Sequence, residues 1–391
     1  MQFRLRTLLL NLALLCAALA VCVVILEVML RLFGIGYPLW THTDGVTGFS
    51  LRPGASGWQT DEGRAWVAIN ADGQRDIAHA VIKPSGTYRI AVLGDSYAEA
   101  RQVPLEASFP KKLEQALASC DVLAGRTPEV INFGVSGFGT TQELLQLRDR
   151  VWKYQPDLVL LAFTTGNDVV NNSYALEKNA DKPYFLPGDD GLTLDESFRE
   201  RPVFQRQNSL SGRFALSALS HSRILQILNR VLHAPAPATQ SGAIQGTESG
   251  IRSGIYLPPA NEQWTEAWSI TEELVRMMRN EVRSHDAVFV VTTLSNGIQV
   301  HPDLAIREAF RRQLNINTLF YPDQRIADLG SREGFPVLTL APKLADAAQH
   351  DQTYLHGFAN TILGEGHWNV DGHALAAALM ADFVCTDVIG Q

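Results

Sequence analysis

The stretch YRIAVLGDS, residues 88–96, decides the fold. Tyr88 to Leu93 is a short apolar run of the kind a buried strand shows, and Gly94 lets the chain turn directly after it. Working outward, a helix is expected over Ser108 to Ala118, then a second strand at Val130-Ile131-Asn132-Phe133. Thr140 and Glu143 make a capping-box pattern ahead of a helix with Leu144, Leu147 and Val151 on one face. Leu158 to Phe163 is an unbroken apolar run, as in a strand covered on both faces. Ala267, Ile270, Leu274, Met278 and Val282 form a helical stripe, Val288 to Leu294 a fourth strand and Pro336 to Leu340 a weaker fifth. A last helix runs from about Val370 to Cys385, with Asn369 placed to cap it. This alternation predicts an α/β fold, a parallel five-stranded sheet between two helix layers.

The chain has 391 residues, 46% hydrophobic and 19% charged, enough for one large domain or two small ones. Its net charge of -8 argues against general nucleic-acid binding, which needs a basic face. Leu8 to Leu26 is apolar except for Asn11, near the length that crosses a bilayer as a helix. We read residues 1–33 as an uncleaved membrane anchor. The rival is a cleaved signal peptide, whose small-x-small site would have to be Ala18-Leu19-Ala20, inside the apolar run. Leu15 and Val21 are too bulky for lipid attachment at Cys16 or Cys22. Arg4 and Arg6 precede the span while Glu27 and Arg31 end it. The positive-inside tendency therefore places the body outside the inner (cytoplasmic) membrane, periplasmic in a bacterial envelope.

Residues 34–86 read as a β-rich connector, with turns at Arg52-Pro53-Gly54 and Asn70-Ala71-Asp72-Gly73 and a strand at Trp66 to Ile69. The sheet domain is then 87–391, interrupted by an insertion at about 174–262, too long for an ordinary connection. The insertion carries an expected helix from Phe214 to Leu232, a lid or a membrane contact if it does not simply pack on the core. It continues into an Ala/Pro/Ser/Gly/Gln stretch, 234–252, expected to be disordered. Cys120 and Cys385 fit no metal spacing. They are either a disulfide, sterically plausible if the strand order is 2-1-3-4-5, or two separate thiols.

Three short segments end or precede regular elements: Gly94-Asp95-Ser96, Gly166-Asn167-Asp168 and His367-Trp368-Asn369. In parallel sheets ligands bind beyond the carboxyl ends of the strands. A Ser, an Asn and a His there can serve as nucleophile, oxyanion donor and base. Gly137, in Gly134-Val135-Ser136-Gly137, can offer a backbone N–H to the same oxyanion; the spacing is not that of a phosphate loop. Each segment alone also reads as an ordinary turn or cap. Among ten histidines His367 is the best base. His373, two residues after Asp371, falls in the first turn of the last helix. Glu365, two residues before His367, is the candidate to hold the imidazole.

In this order the segments resemble the conserved blocks of the SGNH hydrolases, the GDSL lipases and esterases. Ser96, Gly137, Asn167 and His367 fall on the four block positions, and the match runs from 88 to 385 apart from the insertion. Two departures stand out. The family often has an Asp three before the His, where this chain has Gly364, and Tyr97-Ala98-Glu99 lacks the small glycine often found after the nucleophile. The resemblance implies a three-layer α/β/α sandwich of flavodoxin-like order and ester chemistry without cofactor or metal. Ser96 would be nucleophile, His367 base and Glu365 acid; Ser96, Gly137 and Asn167 would form the oxyanion hole. The expected function is a serine esterase acting through an acyl-enzyme on acetyl esters of an envelope glycan or a small ester. An O-acyltransferase acting on an envelope polysaccharide and a non-catalytic glycan-binding protein are the alternatives. No protein partner can be read from the chain.

Overall fold

A computed structural model describes residues 2–189, 191–233 and 251–390. Helix α1, Gln2–Leu32, is exposed along its apolar length. Its 31 residues make about 46 Å of helix. Two antiparallel hairpins follow: β1 (Thr41–Asp44) with β2 (Gly48–Leu51), then β3 (Ser56–Gln59) with β4 (Ala65–Ala68). Next come β5 (Thr87–Gly94), α2 (Ser96–Glu99), α3 (Phe109–Leu117), β6 (Thr127–Asn132), α4 (Thr140–Asp149) and β7 (Leu158–Thr164). After β7 lie α5 (Asp168–Asn171), α6 (Tyr174–Glu177), the hairpin β8 (Tyr184–Gly188) with β9 (Gly191–Asp195), α7 (Pro202–Asn208), α8 (Leu210–His221) and α9 (Arg223–Leu232). The chain closes with α10 (Glu262–Ser284), β10 (Val288–Leu294), α11 (Leu304–Gln313), α12 (Tyr321–Glu333), β11 (Val337–Thr339), α13 (Leu340–Asp351) and α14 (Val370–Phe383).

Five strands form one parallel sheet in the order β11-β10-β7-β5-β6, which counted along the sheet domain is 2-1-3-4-5, as expected. Strand alternation sends successive side chains to opposite faces. In β7, Val159, Leu161 and Phe163 enter a core shared with Leu144, Leu274 and Ile326 of α4, α10 and α12. Leu158, Leu160 and Ala162 enter a second core with Leu113, Leu344 and Met380 of α3, α13 and α14. Two helix layers therefore enclose the sheet. Cys120, just after α3, is bonded to Cys385, just after α14, with their Cα atoms 6.0 Å apart. Of the two readings open for this pair, the disulfide is the one found.

A third core explains why the connector packs against the sheet. Leu51, Ala55, Val67 and Ile69 close over Val135 and Phe138 of the loop after β6. Phe49 meets Phe138 edge to face at 5.3 Å.

Two local expectations need correction. The helix read over Phe214–Leu232 is two helices broken at Ser222, which ends α8 and caps α9 by accepting the Leu225 N–H. Helix α4 is capped from Gly139, whose N–H the Gln142 side chain accepts at 3.2 Å; Glu143 is fully buried instead of reaching back. Residues 234–250, most of the segment expected to be disordered, lie outside the described residues.

Candidate active site

Strand β5 lies inside the sheet, so its carboxyl end opens between the ends of its neighbours β6 and β7. Asp95 follows it with no exposure. Its Oδ1 accepts the Tyr97 N–H at 2.9 Å, capping α2, and the Thr164 hydroxyl at 3.0 Å from the end of β7. This fixes Ser96 as the first residue of a one-turn helix at the rim.

Ser96 Oγ stands 2.8 Å from His367 Nε2. On the far side of the ring, His367 Nδ1 is 2.5 Å from Glu62 Oε2, and Glu62 Oε1 accepts the His367 backbone N–H at 2.7 Å. With Nδ1 protonated, Nε2 is free to accept the serine proton. The carboxylate on the ring is therefore that of Glu62, in the turn between β3 and β4, and not that of Glu365. Glu365 lies between Gly364 (φ +88) and Gly366 (φ +76), and its side chain makes no hydrogen bond to His367. The left-handed Gly366 also leaves the space Glu62 occupies, since a Cβ there would lie 2.3 Å from Glu62 Oε1. Burial pushes the Glu62 carboxyl up, but hydrogen bonds and charge from His367 outweigh it and hold the group below its ordinary 4.5.

Loops from several parts of the chain hold this geometry. Asn360 donates to the carbonyls of Thr60 and Gly63 and accepts the Gly63 N–H, tying the Glu62 turn to the segment before His367. Behind that segment, Trp368 Nε1 donates to Ser295 Oγ at 2.9 Å and Ser295 Oγ faces His356 Nε2 at 3.0 Å. His356 Nδ1 then donates to the Gly366 carbonyl at 2.6 Å. Burial lowers His356 to about 4, so this imidazole is a neutral strut. His373, the rival base, is buried as well; its Nδ1 accepts the Phe109 N–H, and burial lowers it to about 3.

Ser96 and His367 open on a cavity of about 170 Å³ that Tyr97, Thr164, Asn167 and Asn296 also line. The Asn167 amide donates to Asp95 Oδ2 at 2.8 Å, which leaves its second N–H for another acceptor. Gly137 does not line this cavity; a Cβ on it would meet the Phe49 ring at 3.5 Å. It has φ +86 and follows Ser136, whose N–H and hydroxyl both donate to Glu99 at 2.7 and 2.5 Å. Glu99, in the Tyr97-Ala98-Glu99 stretch that lacks the small glycine, thus holds the glycine loop.

The connector supplies more than Glu62. Arg75 is buried and its guanidinium donates to the carbonyls of Glu99, Ala100 and Val103 at 2.8, 2.6 and 2.5 Å. It thereby braces the chain leaving Ser96, where Ala100 takes φ +54. Asp76 accepts the Asn132 N–H at 3.0 Å and pairs with Lys111 at 2.8 Å. Glu62, Arg75 and Asn360 were missed in the sequence because each acts across a long separation. The one local signal is the Asp61-Glu62-Gly63 turn between Trp58 and Trp66, which reads equally well as a plain hairpin tip.

No family model matches this chain, and no curated protein matches it either. Among solved structures it is similar to the acetyl xylan esterase AlAXEase, at 12% identity over 76% of this chain and 99% of that one, with a TM-score of 0.39. It is similar to a putative lipolytic protein of the G-D-S-L family from Desulfitobacterium hafniense DCB-2, at 12% over 76% and 99%, TM-score 0.37. A variant of the acetyl xylan esterase Axe2 from Geobacillus stearothermophilus aligns at 12% over 79% and 98%, TM-score 0.39. The likeness is one of outline.

Proposed function

We propose that this protein is a membrane-anchored serine esterase that cleaves short acyl esters, acetyl above all, with Ser96, His367 and Glu62 as its triad. The observation that carries this reading is the continuous line Ser96 Oγ, His367 Nε2, His367 Nδ1, Glu62, with spacings of 2.8 and 2.5 Å. A serine hydroxyl is a weak nucleophile until a base takes its proton. His367 would take it as Ser96 Oγ bonds to the ester carbonyl, and Glu62 would stabilise the imidazolium. The Ser96 N–H and the free N–H of Asn167, both on residues that line the cavity, are the proposed oxyanion donors; the Gly137 N–H, away from the cavity, is not one of them. As the tetrahedral adduct collapses, the C–O bond to the alcohol breaks and His367 returns the proton to it. Water then repeats the sequence on the acyl-enzyme and releases the acid.

Two further features support the substrate and the setting. The cavity is small beside ordinary ligand pockets, which run to roughly 300–1,000 Å³, and it sets Tyr97 and Ile251 beside the polar groups of Ser96, Asn167, Asn296 and His367, so it suits an acetyl group on a hydroxylated carrier. The carrier we propose is an envelope glycan. Helix α1, whose most apolar stretch has a mean hydropathy of 2.9, would hold the site beside such polymers as a single-pass anchor, with the body on the periplasmic side. Val370–Ile389 is also long and apolar enough to cross a membrane, but much of it is spent in the core beside the sheet.

The test is release of p-nitrophenol and acetate from p-nitrophenyl acetate by the full chain in detergent, beside Ser96→Ala, with and without an oligosaccharide acceptor. Equal release of both products, lost in Ser96→Ala and unchanged by sugar, is the expected result. Acetate falling short only when sugar is present, with acetylated sugar recovered, would identify a transferase. No Ser96-dependent release would overturn the esterase.

A further inference from the structure

We propose that helices α7 to α9 lie on the surface of the bilayer that α1 enters, with their exposed apolar residues in the interface and their arginines on anionic lipid headgroups. This rests on the reading of α1 as a membrane span.

The depth of the insertion is fixed by its attachment. Between Arg6 and Glu27, α1 carries 20 residues without a charge, close to the number that crosses the hydrocarbon of a bilayer. Glu27 therefore marks the polar boundary, and it is Glu27 that holds the corner between α8 and α9. Its carboxylate accepts the N–H groups of Arg223 and Ile224 at 2.9 and 3.1 Å and the Ser222 hydroxyl at 3.1 Å, a carboxylate on a helix N-terminus. Arg31 bonds both Glu27 and the His221 carbonyl at the end of α8. The corner consequently sits at the level where the span leaves the hydrocarbon.

The surface presented there has the chemistry of an interfacial helix. Leu210 and Phe214, one turn apart on α8, are 89% and 76% exposed. Leu225, Leu228 and Leu232 repeat at helical spacing on α9 and are exposed too, while Gln226 on the opposite side is buried and accepts the Tyr37 N–H. In a chain of net charge -8, residues 199–230 hold six arginines and one acid. Arg206 and Arg213, beside Leu210 and Phe214, are exposed and have no ion-pair partner among the described residues. Isolated exposed leucines are ordinary, but a basic stretch with an exposed apolar stripe, tied to the end of a span, matches what binds anionic leaflets. A lid over the cavity is the weaker use of this stretch, because no residue of α7, α8 or α9 lines the cavity and the α8–α9 corner is bonded to α1 through Glu27 and Arg31.

The test is nitroxide accessibility on the full chain in vesicles of phosphatidylcholine, with and without phosphatidylglycerol. Native Cys16 and Cys22 report on the span. In a Cys16→Ala/Cys22→Ala background, Leu210→Cys, Phe214→Cys and Leu228→Cys report on the insertion and Asp351→Cys on the body. Labels at 210, 214 and 228 should collide several-fold more with oxygen than with a nickel chelate, relative to 351. Phosphatidylglycerol should strengthen the preference and Arg206→Glu/Arg213→Glu should weaken it. A span label in lipid with insertion labels in water overturns this proposal and leaves the anchor intact. Insertion labels shielded from both quenchers would mean a protein contact and also overturn it. A span label in water removes the anchor and the proposal together.

Discussion

The carboxyl edge of the sheet and the hairpin connector both deliver side chains to one constellation around His367, but by opposite routes. Ser96 and Asn167 arrive because a buried strand ends where they stand; their neighbours in sequence are their neighbours in space. Glu62 arrives from a two-stranded hairpin, 305 residues from the histidine it contacts. Strand-end chemistry is local and leaves a local mark. Chemistry on an appended hairpin depends on how two pieces dock, and that docking is spread over Phe49, Val67, Phe138 and Asn360.

The comparison can be broken most sharply at its acids. Glu62→Gln should lower kcat for p-nitrophenyl acetate by roughly 10³ to 10⁴, the scale seen when a triad acid loses its charge, while Glu365→Gln stays within about threefold. Equal effects, or the reverse order, would return the acid to the sheet domain. Next in size is the brace. Arg75→Met strips three buried carbonyls of their donor and should cost about 3–5 kcal/mol in urea unfolding, with activity falling alongside. A variant of wild-type stability would mean that the connector is only leaning on the sheet.

The counterpart within the sheet domain is the bridge. Replacing Cys120 and Cys385 by serine should remove about 2–4 kcal/mol of stability and leave kcat near wild type. A matching loss of kcat would show that the two helix layers also set the site. The smallest effect is a pH dependence. Because His367 holds Glu62 below its ordinary 4.5, the stabilisation Glu62 provides is complete above that value and is lost as pH falls through the depressed one. The stability gap between wild type and Glu62→Gln should therefore be present at neutral pH and close in acid. A gap that persists at low pH would assign it to packing.

Much of the fold was readable because it repeats a simple rule. Leu158–Phe163 is apolar throughout and Val288–Leu294 is broken only by Thr292 and Thr293, since helices cover both faces, and Asn369 caps α14 by accepting the N–H groups of Asp371 and Gly372. Reading failed where a distant group overrode the local pattern. The apolar periodicity from Phe214 to Leu232 runs through Ser222, but Glu27 claims the N–H groups that a continuous helix would bond internally. Glu365 has the spacing of a triad acid, yet the left-handed Gly366 beside it leaves room for Glu62 to take the position.

On the proposed anchoring by α1, the placement of Glu62 bears on how the proposed esterase would be shed. A protease cutting anywhere from Gly63 to Lys83 would release a fragment with its whole sheet, nucleophile and base, but without the carboxylate that orients the base. A cut between Phe33 and Trp40 would free the entire site. On that reading, detachment and loss of the proposed activity are separated by about thirty residues of chain, and where the bond breaks would decide whether the released fragment keeps its complete triad.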